Sequence, residues 1–135
     1  MLFIGLFAVS AAAQVSDKGE TVQIGVHSNG NITIFELNDS LAAQALYEQL
    51  PMSIEVENFG NNEKIFYPPK KLPTEKTPSA DAQSGTLAYY APWGDVVMFY
   101  KDFGTAEGLY ELGCAVSGAE HIKNMSGVIE IEKAN

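Results

Sequence analysis

From Thr21 onward hydrophobic and polar positions alternate with a period of two: Val22, Ile24 and Val26 fall on one side of the chain, and Thr21, Gln23 and Gly25 on the other. That is the pattern of a half-buried strand. Ser28-Asn29-Gly30-Asn31 interrupts the run, and Asn-Gly between two alternating segments is a strong hairpin signal because both residues tolerate positive φ. Ile32, Ile34 and Leu37 are then expected to continue the second strand. The period changes after Asn38-Asp39-Ser40, which offers N-cap oxygens to LAAQALYEQL. Leu41, Ala45, Leu46, Tyr47 and Leu50 recur there at helical spacing until Pro51 stops the turn, which predicts a short amphipathic helix. Period two returns at once, with Met52, Ile54 and Val56 expected inward and Glu55 and Glu57 toward water.

Phe59 to Ser84 carries Pro68, Pro69, Pro73 and Pro78 together with Lys64, Lys70, Lys71 and Lys76, and is expected to be dominated by loop. A connection that long inside a compact domain is uncommon and usually mobile or functional, which marks it as a place to look for a binding surface. The C-terminal half is strand-rich. Gly85 to Ala91 and Val96 to Tyr100 flank a tight turn at Pro92-Trp93-Gly94-Asp95, Leu109 to Val116 forms a further strand, Gly118 to Met125 a helical turn or two, and Val128 to Ile131 a closing strand. The expected architecture is mainly β: about eight strands with one or two short helices in one domain, residues 21–133. Closing such a sheet into a barrel removes its exposed edges.

Ahead of this domain, Leu2 to Ala13 is an apolar run of the length of a signal-peptide core, and Ala11-Ala12-Ala13 supplies the small residues a signal peptidase requires. It is too short to span a bilayer, for which a helix needs about 20 residues. Residues 1–13 are therefore expected to be a signal peptide, with cleavage near Ala13, export to the periplasm or beyond, and no membrane span in the mature chain. Composition sharpens the picture of partners. The chain of 135 residues has a net charge of -9, and all eight of its basic residues are lysines. An acidic surface repels phosphate backbones, and without arginine the bidentate contact to guanine is unavailable, so no nucleic-acid partner is expected. Cys114 is a lone cysteine, which forbids an internal disulfide, and its position between Gly113 and Ala115 predicts a buried thiol acting as a small hydrophobe. His27 and His121 have no second ligand at metal spacing, and no cofactor or metal is expected.

Gly85-Thr-Leu-Ala-Tyr-Tyr-Ala-Pro-Trp-Gly94, Phe99-Tyr-Lys-Asp-Phe-Gly104, Gly108-Leu-Tyr-Glu-Leu-Gly113 and the early LYEQLP segment, Leu46 to Pro51, resemble the bacterial cyclophilin-like fold proteins. The resemblance runs from about Val22 to Lys133 and implies a closed cyclophilin-like β-barrel. Better-known members of the cyclophilins are peptidyl-prolyl isomerases, which rely on an active-site arginine at the prolyl amide. This chain has none. A lysine is a point charge without the planar fork, so it does not substitute for the guanidinium. Phe99 and Tyr100 lie on a segment similar to the aromatic strand of the cyclophilin pocket, but no catalytic role carries over to any residue.

The candidate binding residues are aromatic. Tyr89, Tyr90, Trp93, Phe99, Tyr100, Phe103 and Tyr110 crowd one stretch of sequence, and Phe66 and Tyr67 stand beside the paired prolines of the long loop. Such rings hold a proline ring, a peptide or a sugar face, and they equally serve to fill a barrel. The expected function is a non-catalytic, exported binding module for a peptide or small molecule. Two alternatives stay open: a weak prolyl isomerase working without arginine, and a structural or interaction protein.

Overall fold

The Asn29-Gly30 turn stands where the sequence pattern predicts it in the computed structural model, which describes residues 21–135. The apolar run Leu2 to Ala13 and its expected cleavage lie outside the described residues. Strands β1 (Val22–Ser28) and β2 (Asn31–Leu37) pair antiparallel through this turn. Asn29 and Gly30 adopt φ of 52° and 82°, the two left-handed conformations that a tight turn matching strand twist demands. Ile32 and Ile34 belong to β2 but do not face the core; Thr33, Phe35 and Leu37 do. Parity, not period, is what differs from expectation, and a one-residue change of parity turns a whole strand over. The buried Thr33 hydroxyl is satisfied by donating to the Gly118 carbonyl at 2.9 Å.

Helix α1 (Leu41–Glu48) starts at Ser40, whose Oγ accepts from the Ala43 N–H at 3.1 Å. A cap of this kind is worth about 1 kcal/mol. The face that enters the core is Ala42, Ala43 and Leu46, while Leu41, expected on it, is 47% exposed. Leu41 is the first residue of the helix, so the stripe continuing through Leu46 and Leu50 passes one residue away from it.

β3 (Met52–Glu55) follows. Then β4 (Glu57–Phe59) and β5 (Glu63–Phe66) form a hairpin whose turn and second strand fall inside the segment expected to be mostly loop. These strands are only three and four residues long, and Lys64 sits buried at a position where alternation would call for an apolar residue. The remaining elements are β6 (Thr86–Tyr90), β7 (Asp95–Phe99), β8 (Leu109–Ser117), a 3₁₀ turn at Ala119–Asn124 and β9 (Val128–Lys133).

The nine strands form one sheet in the order β3-β9-β1-β2-β8-β6-β7-β5-β4. Its two end strands, β3 and β4, are consecutive in the chain, separated by Val56, whose N–H donates to the Gly127 carbonyl at 2.9 Å. The chain itself thus bridges the two edges, and the sheet is a nearly closed barrel. β8 carries register shifts against both neighbours. Between them lies Gly113, where an added Cβ would stand 2.1 Å from the Glu36 carbonyl oxygen, closer than any side chain permits. The shift at this point puts Leu112 and Gly113 both inward and turns Cys114 out, so the cysteine is exposed rather than buried.

The main core fills the barrel with Ile24, Phe35, Leu87, Met98, Leu112 and Ile129 among others, joined by the buried face of α1. Each such side chain contributes about 1.5 to 3 kcal/mol when fully buried. No helix among the described residues is long and apolar enough to cross a membrane.

Candidate functional site

β7 is buried along its whole length, on both faces. Val96 and Met98 point into the barrel and join the main core. Val97 and Phe99 point outward, where they meet Ala88 of β6 and Ile65 of β5 in a second, separate apolar cluster. An outer barrel wall normally faces water, and this one is instead roofed by two chain segments. The last part of the proline-rich connection places Ala80 and Ala82 in the cluster, held by Ala80 N–H to the Leu109 carbonyl at 3.0 Å and Ala82 N–H to the Gly104 carbonyl at 2.8 Å. Phe103 N–H returns a bond to the Ala82 carbonyl at 2.9 Å.

The roof does not cover the wall completely, and the gap is a pocket of about 200 Å³. Asp95, Val97 and Phe99 of β7 form its base, and Phe59 and Glu63 come from the ends of β4 and β5. Tyr90 and Trp93 enter from β6 and the turn after it, Phe103 and Ala106 from the roof, and Leu109 from the start of β8. The roof approaches the β6–β7 turn closely because residue 108 is glycine. Gly108 has φ of 87°, and a Cβ there would lie 2.8 Å from Pro92 Cδ. Ala91 N–H reaches the Gly108 carbonyl at 2.9 Å.

The rings meet edge to face. Phe59 and Trp93 have centroids 5.1 Å apart with planes at 84°, Tyr90 and Trp93 lie at 5.6 Å and 75°, and Phe99 and Phe103 are tilted at 5.4 Å. Phe59, Trp93 and Phe103 remain 44 to 50% exposed, so the apolar surface continues from the pocket to its rim. Exposed aromatics clustered in this way mark recognition surfaces.

Against this apolar lining stand two carboxylates and, among the described residues, no lysine. Asp95 is 2% exposed, and its Oδ1 has no hydrogen-bond partner among the described residues. Burial disfavours the charged form and pushes the Asp95 carboxyl up to about 6, with only its own backbone hydrogen bond opposing. Glu63 is raised as well, by burial first and by the charge of Asp95 second. Tyr67, on the same side of the barrel, is raised by burial and then by the charges of Asp95 and Glu57.

The structure brings four of the sequence-predicted residues together in the pocket: Tyr90, Trp93, Phe99 and Phe103. Tyr89 and Phe66 go into the barrel, where the Tyr89 Oη accepts from the buried Leu72 N–H at 3.1 Å. Tyr67 is exposed, Tyr100 and Tyr110 are half-buried, and none of the three lines the pocket. Sequence reasoning missed Phe59, Glu63 and Asp95. The alternation in Asp95-Val-Val-Met-Phe99 puts Asp95 on the same face as Phe99 and would have found it, but Asp95 reads naturally as a turn residue after Pro92-Trp93-Gly94. Among the described residues no cluster of three or more His, Cys, Asp or Glu suits a metal ion. His27 lies against Glu132 at 2.8 Å, and His121 against Glu120 at 3.5 Å.

The model of the cyclophilin-like family matches residues 26–132, and the chain belongs to that family. The fold is similar to the solution structure of the hypothetical protein AF2241 from Archaeoglobus fulgidus, with a TM-score of 0.68 over 84% of this chain and 95% of that one at 16% identity. No curated protein matches.

Proposed function

We propose that this cyclophilin-like domain is a non-catalytic binding module whose ligand, a small molecule or a short peptide group, enters the pocket on the outer wall of β7. The observation that carries this reading is a pocket of about 200 Å³ that combines exposed rings at its rim with a lining aspartate whose buried oxygen has no hydrogen-bond partner among the described residues. Ligand sites are typically concave, mostly apolar and equipped with a few convergent polar groups. The volume lies below the range of about 300 to 1,000 Å³ usual for drug-sized ligands, which favours a compact group. The absence of arginine argues against prolyl isomerisation, because nothing here offers a planar pair of donors to the prolyl amide.

Two measurements on the full chain test this. In a prolyl isomerisation assay the expected outcome is no acceleration over the uncatalysed exchange, which takes tens to hundreds of seconds. In a small-fragment screen followed by NMR, hits are expected to move the indole N–H resonance of Trp93, the single tryptophan. Clear isomerase activity, or fragments that bind only away from Trp93, would overturn the proposal.

A further inference from the structure

We infer that the group this pocket takes is a small organic cation, a protonated or quaternary amine, an inference that rests on the binding-module reading and names its ligand class. Three features of the site converge on it. The first is Asp95, which lines the pocket and whose buried Oδ1 is without a hydrogen-bond partner among the described residues. Native proteins seldom leave a buried polar atom unsatisfied, and a buried carboxylate least of all. A neutral apolar ligand would cover this oxygen further from water without answering it. An ammonium group held beside Asp95 supplies the opposite charge that this carboxylate lacks.

The second feature is the lining itself. The faces of aromatic rings carry negative potential, and cations are held where several such faces converge within about 6 Å. Phe59, Tyr90, Trp93, Phe99 and Phe103 provide five rings around one small space. The third is the sign of the remaining charge: Glu63 adds a second carboxylate, no lysine among the described residues lines the pocket, and the whole chain carries -9. Size agrees with a compact headgroup, since about 200 Å³ corresponds to roughly seven waters at 30 Å³ each.

The test uses two pairs of probes matched in shape and differing in charge, titrated into the full chain near neutral pH while following the Trp93 indole resonance. Choline is paired with 3,3-dimethylbutan-1-ol, its neutral carbon counterpart, and a capped lysine amide with a capped norleucine amide. The expected result is that in at least one pair the cation binds on the order of tenfold more tightly than its neutral partner. Choline as the binder assigns a free amine as the source, and the lysine amide assigns a side chain of a peptide. Asp95→Asn is expected to erase the preference for charge while the amide spectrum stays that of the folded barrel, and Glu63→Gln to weaken it. Equal or tighter binding of the neutral partner in both pairs overturns the cation inference while leaving the binding module standing. Silence of all four probes also overturns it, and the broader reading then rests on the fragment screen.

Discussion

Phe59 at the end of β4 and Trp93 in the β6–β7 turn meet edge to face at 5.1 Å, although β5 separates β4 from the β6–β7 hairpin in the sheet. Trp93 therefore links β4 to its own hairpin, packing on Phe59 on one side and Tyr90 on the other, and the three rings make one side of the pocket rim. The tilt of the rings matches the arrangement their quadrupoles favour.

Removing one ring tests whether this contact holds the rim. Phe59→Ala should cost about 1 kcal/mol of stability, because Phe59 is partly exposed and contributes the ring pair and little burial. The larger effect should be on Trp93, whose emission should move to the red as its indole enters water, with ligand affinity falling on the order of tenfold. Fluorescence and urea titration on the same samples check both. An unchanged Trp93 spectrum would mean that the rim is held by Tyr90 alone.

Tyr89 ties the proline-rich connection to the barrel. Its Oη, enclosed in the main core, accepts the N–H of Leu72, which is itself buried. Tyr89→Phe preserves the ring and removes the acceptor, leaving a buried donor unanswered. Such a change costs about 1 to 3 kcal/mol. Amide hydrogen exchange should locate the damage: the Leu72 amide is expected to lose protection while β1 and β2 keep theirs, and the Trp93 resonance should stay in place. Loss of protection throughout the sheet would show that Tyr89 supports the barrel as a whole.

Much of this fold was legible because its signals are local. Asn29-Gly30 allows one hairpin geometry, Ser40 caps one helix, and the alternation around Ile24 and Ile131 belongs to strands with one face in the barrel. What escaped depends on contacts distant in sequence. Whether Ile34 or Phe35 faces inward is decided by pairing with β8, and the exposure of Cys114 by a register shift in that strand. The hairpin of β4 and β5 is too short to announce itself, and with it Phe59 and Glu63 were lost from the candidate site. The aromatic stretch was visible, but dividing Tyr89 from Tyr90 requires knowing that one side of β6 fills the barrel and the other faces the pocket. Asp95 was hidden in another way, because a carboxylate at a turn is commonplace until its burial is known.

That burial sets a dependence on pH whose sign is opposite to the usual one for carboxylates. A salt-bridged aspartate has its pKa lowered on folding and stabilises a protein as pH rises. Asp95 is raised to about 6 from an ordinary value of 3.8, so between these values the folded protein binds the proton more tightly than the unfolded chain. Its contribution to stability is present in acid, falls as pH climbs from about 4 to 6, and is level above that. The full span corresponds to about 3 kcal/mol. Glu63 of β5, paired with Phe99 and raised in part by the charge of Asp95, shifts in the same direction and adds to the trend; Tyr67 titrates far above this window. Asp95→Asn removes the charge while keeping the shape, so the variant should be more stable than the parent at pH 7 and should lose most of the slope between pH 4 and 6. Urea unfolding at pH 4.5 and 7 on both proteins measures this. A parent that gains stability across that interval as steeply as its variant would show that the Asp95 carboxylate is solvated, and the buried charge would then no longer support a cation in the pocket.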